Sequence, residues 1–104
     1  MMLDLETSMP KNAQEMTASV KSGEFFDGKK FKGFSFDNAD LSGGVFTNVL
    51  FENCSFVGTN MADAMFNQCR FVHSPFIEIK GGANFIQTEF HNLAIEKSNL
   101  LKTN

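Results

Sequence analysis

A large apolar residue falls on every fifth position from residue 31 to residue 76. The ladder reads Phe31, Phe36, Leu41, Phe46, Phe51, Phe56, Met61, Phe66, Phe71, Phe76. Five steps along an α-helix advance a side chain by about 140°, so such residues would spiral around the surface. On a flat strand an odd step flips each one to the opposite face. A period of five therefore predicts a backbone that turns a corner once per repeat, with every large residue aimed at a common axis.

The position two before each large residue carries its own pattern. After Phe34 it reads Ala39, Gly44, Val49, Cys54, Thr59, Ala64, Cys69, Ser74, all small or modest. A large residue with a small one two places earlier is the mark of a short strand with both facing inward. The remaining positions are mostly Asp, Asn, Ser, Gly, Glu, Thr and Gln, which suit solvent and turns. The ladder breaks after Phe76 and resumes at Phe85, Phe90, Ile95 and Leu100. The slip falls at Lys80-Gly81-Gly82, where glycines can absorb an irregular corner or bulge.

Ahead of the ladder, residues 24–33 read as a transition. Phe26 and Phe31 are in phase, but Glu24 and Lys29, two places before them, are poor interior residues. Regular repeats are thus expected from about Phe34. Residues 9–22 predict a short amphipathic helix with Ser8 as N-cap, Pro10 in the first turn and Gly23 just past the end. Met9, Ala13, Met16 and Val20 share one face, which suits a lid over the open end of a repeat stack. The domain reading is a disordered lead-in at 1–8, a capping helix at 9–23 and a repeat domain at 24–104.

One five-residue unit matches a known motif fully, and the run of consecutive units makes the match specific. Ala39-Asp40-Leu41-Ser42-Gly43 matches the A(D/N)LXX motif of the pentapeptide-repeat family, and Cys54-Ser55-Phe56, Cys69-Arg70-Phe71 and Thr59-Asn60-Met61 are similar to units of its Phe-rich members. The stretch from Phe34 to Leu100 resembles that family. The resemblance implies an all-β solenoid, a right-handed quadrilateral β-helix of about three to four coils with the N-terminal α-helix as cap. Four repeats per coil then set out columns. Face one stacks Phe31, Phe51, Phe71 and Phe90. Face two stacks Phe36, Phe56, Phe76 and Ile95. Face three carries Leu41, Met61 and Leu100, and face four Phe46, Phe66 and Phe85. The expected core is Phe36, Leu41, Phe46, Phe51, Phe56, Met61, Phe66, Phe71, Phe76, Phe85 and Phe90.

Composition sharpens this. Thirteen Phe with no Trp and no Tyr point to an interior with no route for a ring OH or NH to a partner. At 104 residues the chain makes one small domain, and 42% hydrophobic content suffices for one core. A net charge of −3 argues against direct nucleic-acid binding. Cys54 and Cys69 read as small buried hydrophobes rather than a disulfide or metal pair, which fits a reducing cytoplasm. The first residues show neither a basic nor an apolar signal region, and no apolar run approaches a membrane span. Cytoplasmic residence is expected, with export as an effector lacking a cleavable signal as the alternative.

Chemistry-bearing residues are sparse. His73, His91 and Glu89 all take outward positions and would be neighbours on face one, but their spacing matches no zinc motif. Asp37, Asp40, Glu52 and Asp63 form an acidic stretch with no basic residue between Phe34 and Cys69. Carboxylates do acid–base work only in a cleft that shifts their pKa, and the convex side of a solenoid offers none. No catalytic, metal or cofactor site is expected, and no cofactor. Outward apolar residues are more informative: Val45, Val57, Met65, Val72 and Ile77 form the candidate partner surface, with Leu50 and Ile86 nearby. The leading function is a non-enzymatic interaction or scaffold domain that presents flat faces to a protein partner, within a larger bacterial protein or effector. The resemblance supplies an alternative, a DNA mimic that modulates type II topoisomerases, though that mechanism needs a longer and more acidic rod. A metal-dependent enzyme using His73, His91 and Glu89 is the third reading. An uncapped end after Leu100 predicts either a homodimer through residues 85–101 or truncation from a longer protein.

Overall fold

The computed structural model describes residues 10–98. Its elements are one helix and a series of very short strands. The helix is α1 (Ala13–Lys21). The strands are β1 (Phe25–Asp27), β2 (Lys30–Lys32), β3 (Val45–Thr47), β4 (Leu50–Glu52), β5 (Phe56–Val57), β6 (Met65–Asn67), β7 (Arg70–Val72), β8 (Phe76–Ile77), β9 (Asn84–Ile86), β10 (Glu89–His91) and β11 (Ile95–Glu96). They assemble into three parallel sheets, ordered β1-β3-β6-β9, β10-β7-β4-β2 and β11-β8-β5. The remaining side is closed by the bridges Asp40–Asn60 and Asn60–Lys80. The result is a quadrilateral β-helix of about four turns, with α1 at its N-terminal end.

The corners explain the period of five. The residue two past each large apolar one takes the left-handed conformation, from Gly28 (φ 69°) through Asn53 (φ 54°) to Lys97 (φ 51°). Each such residue bends the chain by one corner before the next two- or three-residue strand. Gly and Asn dominate the early corners because they bear this conformation at least cost. On the bridged side the Asp or Asn of the A(D/N)L unit adds a second device. Asp40 Oδ1 accepts from the backbone N–H of Ser42, and Asn60 Oδ1 accepts from that of Ala62, each at 3.0 Å. These are Asx turns that pre-form the corner.

The core is a stack of rings. Phe36, Leu41, Phe46, Phe51, Phe56, Met61, Phe66, Phe71 and Phe76 have no exposed surface. Within each column the rings stack, with Phe46 on Phe66 at 5.0 Å and Phe51 on Phe71 at 4.8 Å. Between columns they meet edge to face, as Phe51 does with Phe46 and Phe56. Burial of each ring contributes about 1.5–3 kcal/mol, and the pair geometry about 0.5–1.5 kcal/mol more.

The residues two places before the rings do more than fit. Thr59 Oγ1 donates to the Phe36 carbonyl at 2.7 Å, Ser74 Oγ to that of Phe51 at 3.2 Å, and Thr88 Oγ1 to that of Phe66 at 2.7 Å. The thiols of Cys54 and Cys69 take the same place, reaching the carbonyls of Phe31 and Phe46 at 3.4 and 3.3 Å. Both cysteines are buried and free. Each therefore serves as a small apolar filler and also ties one coil to the one before.

Several expectations are corrected. Regular coils start at β1, not near Phe34: Phe26 pairs with Phe46 and Phe31 with Phe51 in unbroken register. Glu24 and Lys29 are tolerated because the side chain at this position reaches toward the preceding coil, and among the described residues the first coil has none; both are exposed. The helix begins later than predicted. Its N-cap is Asn12, whose side chain accepts from the Glu15 N–H at 2.9 Å, so Pro10 lies before the helix. Ser8 and Met9, and the lead-in at 1–8, lie outside the described residues. Gly23 closes the helix as expected, at φ 82°, with its N–H on Val20 and that of Glu24 on Ser19, a Schellman motif.

The slip at Lys80-Gly81-Gly82 is a repeat shortened by one residue. The offset between coils falls from twenty (Asn60 to Lys80) to nineteen (Met65 to Asn84). Lys80 holds the place of Asp40 and Asn60 but has no acceptor to form an Asx turn. Gly81 takes the left-handed conformation instead, at φ 75°. It also replaces the large residue of the column, which runs Leu41, Met61, Gly81; Leu100 lies outside the described residues. Ile79, two places earlier, is buried and restores the lost apolar volume. The expected core members Phe85 and Phe90 are only half-buried, because among the described residues no further coil stacks on them.

Candidate interaction faces

The outer positions of the strands give each side of the solenoid its own chemistry. The side built on β2, β4, β7 and β10 is charged. Its two outward columns are Lys30, Leu50, Arg70, Glu89 and Lys32, Glu52, Val72, His91. The ions pair with one another: Lys30 lies 3.7 Å from Glu52, and Glu89 Oε1 meets Arg70 Nε at 3.4 Å and His91 Nε2 at 2.8 Å. His91, with Arg70 beside it, holds the Glu89 carboxyl below the usual carboxylate range. His73 does not join this group through its side chain; its backbone N–H donates to the His91 carbonyl at 3.0 Å. Among the described residues no three His, Cys, Asp or Glu side chains converge as a metal site.

The side built on β5, β8 and β11 stacks Val57 on Ile77, with Glu96 next. Asp37 sits above Val57 and is spent on structure, since its Oδ1 accepts from Ser55 Oγ at 2.6 Å and from the Val57 N–H at 3.0 Å. On the bridged side Asp40 receives Lys21 Nζ of α1 at 2.7 Å. That contact, with the Ser42 hydroxyl and N–H, lowers its pKa to about 2. Met16 and Val20 of α1 are buried in the core cluster and Ala13 packs against it, so α1 covers the end of the first coil.

The side built on β1, β3, β6 and β9 differs from the others. Its eight outward positions are Phe25, Val45, Met65, Asn84 in one column and Asp27, Thr47, Asn67, Ile86 in the other. Asp27 is the single ionisable group. Phe25, Met65 and Ile86 are 75%, 37% and 45% exposed, three of the four large apolar side chains so exposed among the described residues.

The geometry of parallel coils, five-residue corners and A(D/N)L turns meets its counterpart in known sequences. A family model for pentapeptide repeats matches residues 31–73, in eight copies. Residues 31–73 carry pentapeptide repeats. The structure continues the pentapeptide-repeat architecture on both sides of the match, from β1 to β11. No curated protein and no solved structure matches the chain.

The pentapeptide-repeat solenoid places the five predicted surface residues on three different sides. Val45 and Met65 share the least charged side, Val57 and Ile77 the second, and Val72 the charged one. Only Met65 is classed as exposed; the other four are half-buried. Phe25, the most exposed of all, went unread because it lies in the stretch taken as a transition. The signal was the Phe25-Phe26 doublet: once Phe26 is in phase, its neighbour must point outward.

Two shallow grooves mark the corners. One, of about 430 Å³, runs past Asn48, Gln68, Cys69, Arg70 and Glu89. Burial pushes the Cys69 thiol up to about 11 and raises that of Cys54, so neither is a thiolate near neutral pH. The other, of about 470 Å³, lies between α1 and Asp37–Asp40. Among the described residues no helix is long and apolar enough to cross a membrane.

Proposed function

We propose that this chain is a non-enzymatic interaction domain whose least charged side, with Phe25, Val45, Met65 and Ile86, binds a protein partner. The observation that carries the reading is the concentration of exposed apolar surface on the one sheet with a single ionisable outward group. A patch of this kind on a rigid sheet loses little conformational freedom on docking, which favours association. The domain is read as part of a larger bacterial protein or effector. Free, buried thiols suit the reducing cytoplasm. Catalysis has little support: the thiols are protonated, and Glu89 and His91 are paired on a convex, solvent-screened face.

The test is affinity capture with three proteins: wild type, Val45→Asp/Met65→Arg, and the charged-side control Val72→Asp. A specific partner should bind the wild type and the control but not the double variant. Equal recovery by all three would remove this side as the interface.

A DNA mimic acting on type II topoisomerases is the second reading. It rests on the repeat family and on the acidic stretch from Asp37 to Asp63. Its weakness is that Asp37, Asp40 and Glu52 are engaged within the fold. A supercoiling assay with gyrase decides it, inhibition or quinolone protection being the expected effect.

A second copy is the proposed occupant of the C-terminal end. Phe85, Phe90 and Leu93 are half-buried there, Ile95 is 46% exposed, and the edges of β9, β10 and β11 lack a strand neighbour among the described residues. Concentration-dependent dimer formation that Ile95→Lys abolishes is the expected result in sedimentation.

A further inference from the structure

The two ends of this solenoid are unequal, and their residues match. At the N-terminal end Phe26, Phe31, Phe36 and Leu41 are at most 4% exposed, although no coil precedes them among the described residues, because α1 lies across them. At the C-terminal end Phe85 and Phe90 are half-buried and Ile95 is exposed, with no further coil on them among the described residues. The columns show what an uncovered first coil would fit. Phe26 heads the column Phe46, Phe66, Phe85; Phe31 heads Phe51, Phe71, Phe90; Phe36 heads Phe56, Phe76, Ile95. The first coil of a second copy, set on the fourth coil of the first, would continue each column at the same spacing and register. Phe26 would stack on Phe85 and Phe31 on Phe90, as Phe46 stacks on Phe66 at 5.0 Å and Phe51 on Phe71 at 4.8 Å. The strand edges match as well, since each coil offers the next the edge that it receives from the one before.

We propose that α1 is a plug that limits self-assembly: displaced, it lets the first coil of one copy stack head to tail on the open fourth coil of another. Such a contact is heterologous and does not close, so it propagates into a filament. With α1 docked, only the C-terminal ends can meet, and assembly stops at a pair. The plug is held by modest means. Two side chains, Met16 and Val20, are buried, and one ion pair, Lys21–Asp40, lies at the surface with its side chains 52% and 42% exposed. The inference shares the open end with the dimer reading but does not depend on it or on the partner of the least charged side.

The experiment uses the full chain with Met16→Asp/Val20→Asp, which sets two carboxylates against the rings. Circular dichroism reports the strands, and sedimentation and electron microscopy report size. The expected result is a retained strand signal with growth from one or two protomers to species of ten or more. Ile95→Lys in the same background, placing an ammonium where Phe36 of the next copy must sit, should return the protein to single protomers. A folded double variant that stays small overturns the proposal. Aggregation that Ile95→Lys does not reverse also overturns it, because the assembly is then not end to end. Loss of the strand signal overturns it too, by showing that α1 belongs to the fold rather than plugging it. A wild type that stays monomeric at high concentration would remove only the dimer reading.

Discussion

Thr59 shows how much one side chain carries in a coil of five-residue units. It has no exposed surface, and its hydroxyl satisfies the Phe36 carbonyl of the previous coil. Thr59→Val keeps the shape and removes the donor, so a buried carbonyl loses a partner. The carbonyl keeps the Ala39 N–H at 3.0 Å, so the expected loss is about 0.5–1.5 kcal/mol, read as a lower midpoint in urea with an unchanged slope. Cys69 occupies the same kind of place with a thiol, and its pKa of about 11 keeps it protonated near neutral pH. Native protein at pH 8 should react with iodoacetamide at least tenfold more slowly at Cys69 than urea-unfolded protein; comparable rates would contradict the burial. The size of these residues was legible in the chain, because small residues recur two places before the rings. Their hydrogen bonds were not, because Ala39, Gly44, Val49 and Ala64 fill the same position without donating. A role that only some repeats use leaves no period to read.

Two elements depart from the repeat, and they differ in how they are held. The short corner depends on Gly81. A Cβ there would lie 2.6 Å from that of Ala62, in a left-handed backbone. Gly81→Ala should cost about 1–3 kcal/mol, and Ala62→Gly should recover only the part due to the Cβ–Cβ contact, because the new Cβ also lies 2.7 and 2.9 Å from the Ala62 Cα and N and the backbone strain remains. Thermal melts of both single variants and the double variant separate the two contributions. The helix α1 depends on Met16 and Val20 and on the Lys21–Asp40 pair. The folded pKa of Asp40, about 2, lies below its ordinary value of 3.8, so the unfolded chain takes up the proton more readily. The pair's contribution is therefore complete above about pH 4 and is lost as pH falls toward 2. Both side chains are about half exposed, so solvent limits it to about 0–1 kcal/mol. Asp40→Asn should flatten the acid limb of the stability profile by that amount and leave pH 7 folding intact. The presence of a helix was visible in the spacing of Ala13, Met16 and Val20. Its start was not, because Ser8 and Asn12 both qualify as caps, and only packing on the first coil chooses between them.

For the whole molecule, stacking makes stability a matter of position. Each coil touches only its neighbours, so a solenoid behaves as a one-dimensional chain of interfaces. Phe51 meets Phe31 and Phe36 of the first coil, Phe46 and Phe56 of its own, and Phe66 and Phe71 of the third. Phe90 meets Phe71, Phe76 and Phe85, with nothing described beyond it. The ladder showed one corner per five residues, and the family resemblance, by implying four repeats per coil, fixed which rings share a column. The gradient along the axis did not, because every Phe is written alike whether it lies between two coils or at the end of the stack. Phe51→Ala should therefore cost about 3–5 kcal/mol and lower the whole transition, whereas Phe90→Ala should cost markedly less. Hydrogen exchange gives the same gradient without mutation. Amides of β3 to β8 lie between two coils and should open only near the global free energy, while those of β9 to β11 border the open end and should exchange by fraying. The first coil discriminates further. With α1 docked, β1 and β2 should be protected nearly as well as β4, and Met16→Asp/Val20→Asp should bring them down to the level of β10 wherever that variant is held monomeric by Ile95→Lys. Equal protection of β1 and β10 in the wild type would mean that the helix rests on the stack without closing it.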